Sequence, residues 1–121
     1  MCLKSEQAVD LYNKACRSEQ EGQVNLAEVY YLKSWSLFEQ AGGCNCLNAA
    51  NTLNALAFLR WSRQDYVGAL SVAKASKKIM ETSGNIFPGA DADLIRSTAW
   101  ELVDQVSYEL MLASGVVNQS H

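Results

Sequence analysis

Side chains suited to catalysis are sparse in this sequence, and the arrangement of its polar and aromatic residues argues for recognition instead. The single histidine is His121, at the end of the chain. It reaches no ordered site unless the tail docks, so histidine-based triads are not expected. Asp and Glu residues are scattered at helix-surface positions, and no Gly-rich turn follows a strand to cradle a phosphate. With acid–base and nucleophile constellations lacking, the chain reads as non-catalytic and without a cofactor. Cys44-x-Cys46 could offer two thiolates to a soft metal, but a structural zinc site needs a second close pair, and Cys2 and Cys16 are remote. No metal is expected. The thiols read as loop filler and small buried hydrophobes, with a redox thiol at Cys44 and Cys46 as the lesser alternative.

Asn51, Asn54, Phe58 and Trp61 are separated by three, four and three residues, which sets two amides and two rings in one row on a helix. An amide both donates and accepts, so it can pair with the backbone of an extended peptide of any sequence. Neighbouring rings bury that peptide's apolar side chains. The competing reading puts Phe58 and Trp61 in the core and leaves the asparagines to solvate the helix. Lys74, Lys77 and Lys78 share another face, with Arg60 and Arg63 close in sequence. That patch reads as a solvated face or, second, as a contact for an acidic peptide; it lacks the interleaved aromatics of a single-strand binder.

The scaffold for these residues can be read from length and pattern. The chain has 121 residues, 49% hydrophobic and 19% charged, enough for one domain with a buried core. Thirteen acidic against ten basic residues give a net charge of −3, so the cationic footprint of a nucleic-acid binder is missing. No window approaches a membrane span, and the opening MCLKSEQAVD is polar where a signal peptide is greasy. A cytoplasmic protein with reduced thiols is expected.

Apolar residues recur at helical spacing throughout, and alternating β-branched runs are lacking, so the class is all-α. Leu26, Ala27, Tyr30, Tyr31, Ser34, Leu37 and Phe38 draw one stripe, and Ile95, Ala99, Leu102, Val103, Val106 and Leu110 draw another. Breaks fall at Gly22-Gln23, Gly42-Gly43, Arg63-Gln64-Asp65 and the stretch from Gly84 to Gly89. Five helices are expected, at about 5–21, 24–41, 46–62, 66–82 and 91–113, the last capped by Asp91. Loops this short connect antiparallel neighbours.

Sliding the sequence against itself by 42 residues aligns small side chains: Ala8, Ala50 and Ala92; Ala15, Ala57 and Ala99; Ala27 with Ala69; Ser34 with Ser76. Small residues at fixed places let helix axes come close once per repeat. The pattern is one of two and a half helical repeats: 5–42, 46–84, and a closing helix at 91–113 with a frayed tail after it.

The repeat resembles the tetratricopeptide repeat, in the long 42-residue form of kinesin light chains and related bacterial proteins. Leu53, Leu56, Ala57, Tyr66, Ala69 and Ala73 carry the likeness in the second unit, and Leu11, Ala15, Gly22, Ala27 and Tyr31 in the first. The third unit keeps only its first helix, which is similar to the capping helix of such arrays. The usual early Trp is Leu11 or Leu53 here, Gly22 becomes Gln64, and the helix-ending Pro is missing. The resemblance implies antiparallel hairpins stacked as a short right-handed superhelix whose first helices line a concave face. By the family's pattern that face holds Val9, Tyr12, Cys16 and Glu19, then Asn51, Asn54, Phe58 and Trp61, then Asp93, Arg96, Trp100 and Val103. Trp35 reads as core or an oligomer contact. The carboxylate clamp of chaperone-binding members is not reproduced at Tyr12, Asn54 and Arg96. The resemblance thus implies a protein or peptide partner held at Tyr12, Asn51, Asn54, Phe58, Trp61, Arg96 and Trp100. Homo-oligomeric assembly, a homodimer in the simplest case, is the alternative.

Overall fold

The computed structural model describes residues 3–42, 46–83 and 89–114. They form five α-helices: α1 (Leu3–Gln20), α2 (Val24–Ala41), α3 (Cys46–Ser62), α4 (Tyr66–Ser83) and α5 (Ala90–Ser114). The fold is all-α, with no strand among the described residues. Cys2, Cys44, the connection 84–88 and the tail 115–121 lie outside them. No described helix is long and apolar enough to cross a membrane.

Local chemistry sets the turns. After α1, Gln23 N–H donates to Ser18 O at 2.8 Å and Gly22 N–H to Glu19 O at 3.1 Å. After α3, Asp65 N–H donates to Arg60 O at 2.9 Å and Gln64 N–H to Trp61 O at 2.8 Å. These paired bonds are the Schellman closure of a helix, which needs a left-handed residue just beyond the end. Gly22 supplies it with φ +79°, and Gln64, 42 positions on, supplies it with φ +64°. A side chain there is strained, so Gln64→Gly is expected to raise stability by about 0.5–1 kcal/mol, read as a higher urea midpoint.

The Asp65 carboxylate then caps α4, accepting Gly68 N–H at 3.0 Å. Any side chain at 68 would strike that carboxylate. Repeat one has no such cap at Gln23 and can carry Leu26 instead. The expected cap of α5 is corrected: the helix begins at Ala90, and Asp93 N–H donates to the carbonyl of Gly89. Asp91 falls in the first turn, where its charge still opposes the helix dipole.

One hairpin contact recurs at an interval of 42 residues. Ser34 Oγ donates to Ala8 O at 2.6 Å across the α1–α2 hairpin, and Ser76 Oγ to Ala50 O at 3.0 Å across α3–α4. The aligned alanines Ala8, Ala15, Ala27, Ala50, Ala57, Ala69, Ala92 and Ala99 are all buried. Of the two apolar stripes, Ala27, Tyr31, Ser34 and Phe38 are buried on α2, as are Ala99, Leu102 and Val106 on α5. Helix α3 packs against α2, α4 and α5, and α5 packs against α3 and α4.

That central place explains one column of residues. Leu53, Leu56 and Leu59 of α3 are fully buried, worth roughly 1.5–3 kcal/mol each in transfer from water. Their counterparts on the end helices are Leu11, Lys14 and Arg17 on α1, and Ile95, Thr98 and Glu101 on α5. Lys14, Arg17 and Glu101 are exposed. At the last two of these three positions the central helix carries leucine where the end helices turn polar.

Candidate binding groove

Two adjoining hollows run across α1, α3 and α5. The first, about 160 Å³, is lined by Val9 and Tyr12 of α1, Phe38 of α2, and Asn48, Asn51 and Thr52 of α3. The second, about 280 Å³, continues from Tyr12 and Asn51 over Asn54, Ala55 and Phe58 to Leu94, Ile95 and Thr98 of α5. Tyr12 and Asn51 line both, and the Asn51 amide donates to the Tyr12 hydroxyl at 3.5 Å. No charged side chain lines either hollow among the described residues.

Phe58 is the open ring of the groove, 47% exposed, stacked on Trp61 at 6.2 Å and 25°. Trp61 is half-buried and packs against the core, so it backs Phe58 and does not line the hollow. The choice between core and groove therefore divides the pair. Aromatic stacking of this kind is worth about 0.5–1.5 kcal/mol and holds the exposed ring in one pose.

Besides Trp61, three further expected site residues differ in setting from Phe58. Asn54 is 4% exposed, and its amide is already engaged, donating to Ile95 O at 3.1 Å and accepting at 2.7 Å a share of the single Ser76 hydroxyl proton, which Ala50 O also receives. It lies in the groove floor as a tie between α3, α4 and α5, with its amide committed to the fold and not to a peptide backbone. Arg96 and Trp100 do not line the groove at all. Arg96 is bonded to Asp93 at 2.9 Å, and Trp100 lies towards α4 with the Lys77 ammonium 5.2 Å from its ring centre. They line a separate recess of about 410 Å³ with Asp93, Ser97 and Glu101.

The 42-residue register, carried onto α5, selects residues that line the separate recess and not the hollow. Leu94, Ile95 and Thr98 form the wall instead. No signal in the sequence marks them, because it is the folded structure that leaves Leu94 65% exposed. Trp35 is half-buried between the two parts of the core, and its buried indole N–H has no hydrogen-bond acceptor among the described residues.

The basic patch is largely dispersed by pairing. Arg60 and Arg63 both reach Glu28 on α2 at 3.4 Å, and Lys77 is drawn over Trp100. Lys74 and Lys78, both exposed, are what is left of it.

Beside the groove, Tyr12 meets Tyr31 edge-on at 5.7 Å, the Tyr31 hydroxyl donates to Glu19 at 2.8 Å, and Cys16 Sγ lies 3.6 Å from it. Burial, then the bonds to Cys16 and Glu19, pushes the Tyr31 phenol well above its ordinary value of 10. Burial, then Cys16, also raises Tyr12. An unfolded tyrosine gives up its proton near pH 10 while the folded one keeps it, so the folded state binds more protons above that pH and loses stability there. Unfolding by urea is expected to become easier from about pH 10 upward. In Tyr31→Phe that slope becomes shallower, with the remainder due to Tyr12.

Comparison with protein-family models, with curated proteins and with solved structures gave no match.

Proposed function

We propose that this protein is a non-catalytic interaction module of the tetratricopeptide type that holds an extended segment of a partner protein in the groove across α1, α3 and α5. The observation that carries the reading is Phe58, a large ring left open to solvent in the uncharged lining of the larger of the two hollows. An exposed ring backed by a second ring is an anchor whose pose is fixed before binding. Asn51 adds an amide beside it, and the Tyr12 hydroxyl a second polar group. The recurrence of buried hydroxyl-to-carbonyl bonds at a 42-residue interval supports the family assignment. Self-assembly through helix faces has less support, because the outer columns of α1 and α5 carry Lys14, Arg17 and Glu101 where α3 carries leucine.

The test is selection of binders from a displayed library of random peptides, then affinity measurement on the wild type and on Phe58→Ala. Phe58 is exposed enough for truncation to leave the fold intact, which far-ultraviolet circular dichroism checks. Tenfold or greater weakening in the variant is expected for an anchor residue. Equal affinities would remove the groove from the account.

A further inference from the structure

The charge of this molecule is concentrated on one helix. Helix α5 carries Asp91, Asp93, Glu101, Asp104 and Glu109 against Arg96, a net −4, while the whole chain is −3. All the rest of the protein together is thus slightly cationic, and α5 is the far wall of the groove.

Placement on that wall is specific. Asp91, Leu94, Thr98 and Glu101 are spaced three, four and three apart, so they share one face of α5. Leu94 and Thr98 line the larger hollow. Asp91 and Glu101 stand exposed at either end of that strip, Glu101 where it borders the recess that Asp93, Arg96 and Trp100 line, and Asp93 is taken by Arg96. The two bracketing carboxylates are about 15 Å apart along the helix axis. An extended chain covers that distance in four or five residues.

We infer that the partner segment is cationic: an apolar or aromatic side chain enters the hollow between Phe58 and Leu94, flanked by two Lys or Arg residues four to five positions apart that face Asp91 and Glu101. This rests on the groove being the binding surface. An acidic ligand finds no cation in the hollow and meets the like charge of α5. A second copy of the chain is a poor occupant, since its Arg60 and Arg63 are held on Glu28 and its net charge repels.

Three capped peptides test this: Gly-Lys-Ser-Phe-Ser-Lys-Gly, the same with both lysines replaced by glutamate, and the same with phenylalanine replaced by glycine. Each is titrated into the labelled full chain at low salt, and amide shifts are tracked by nuclear magnetic resonance. The lysine peptide is expected to shift Phe58, Leu94 and Thr98, and to bind at least fivefold more tightly than the glutamate peptide. That advantage shrinks in high salt. In the Asp91→Asn, Glu101→Gln double variant it falls to within twofold. The glycine peptide is expected to leave the Phe58 signal unmoved.

Equal binding of the lysine and glutamate peptides, with Phe58 and Leu94 shifting in both, overturns the cationic assignment and keeps the groove. An undiminished lysine advantage in the double variant overturns the role of Asp91 and Glu101. Shifts that never reach Phe58 or Leu94 with any peptide overturn the groove itself.

Discussion

Replacing Leu56 by Ala is expected to cost about 3 kcal/mol of folding stability, within the roughly 2–5 kcal/mol range of buried leucine truncations. Lys14→Ala and Thr98→Ala, at the same place in the flanking units, should stay within about 0.5 kcal/mol. Leu56 is fully buried in α3, which has packed neighbours on both sides, and its removal leaves a cavity in the centre of the array. Lys14 lies on the exposed side of an end helix, and Thr98 opens on the groove. Urea unfolding of the three variants reads the difference directly. Equal costs at all three positions would mean that the units share their burden evenly and that α3 is not the keystone.

Asn54→Ala is the second large effect, expected at about 2 kcal/mol from two lost hydrogen bonds and the space left behind. The residue sits where a ligand-binding amide is expected in the row Asn51, Asn54, Phe58, yet its amide joins Ser76 of α4 to Ile95 of α5. Asn54→Asp should destabilise more than Ala, because a carboxylate can still accept from Ser76 but sets a negative charge against the Ile95 carbonyl in a buried place. The readout that separates a structural from a binding role is affinity measured on the folded fraction. Asn54→Ala is expected to melt earlier and keep peptide affinity, and Phe58→Ala to do the reverse. Loss of affinity in a fully folded Asn54→Ala protein would return that amide to the groove.

The contrast between these residues marks how far a linear pattern reaches. The five helices fall within two residues of their expected ends, because helix periodicity and the turn chemistry at Gly22, Gly42 and the Arg63–Asp65 stretch act over a few residues. The alignment at 42 residues has a physical counterpart down to Ser34 and Ser76, since a small side chain in a helix seam is required wherever two axes approach. The start of α5 differs from the expected cap: intrinsic preference ranks Asp above Gly as an N-cap, yet the helix begins at Ala90, with Asp93 N–H on the Gly89 carbonyl.

Class, the number and length of the helices, the period, and the residues that recede into the hairpin seams are all legible in the chain itself, because each arises from interactions within one helix or one hairpin. Which polar and aromatic residues stay open to solvent is a different matter, decided by packing. Spacing by three and four marks a core stripe and a groove stripe alike, so Asn51, Asn54, Phe58 and Trp61 look equivalent until α4 and α5 are packed against α3. Only then is Asn54 enclosed, Trp61 half-covered and Phe58 left open. The turn of α5 about its own axis brings Leu94 and Thr98 to the groove and sends Arg96 and Trp100 away from it. It is fixed by contacts with residues tens of positions distant, such as Lys77 and Asn54. No local pattern encodes that rotation, because it is the joint outcome of packing one helix against two others.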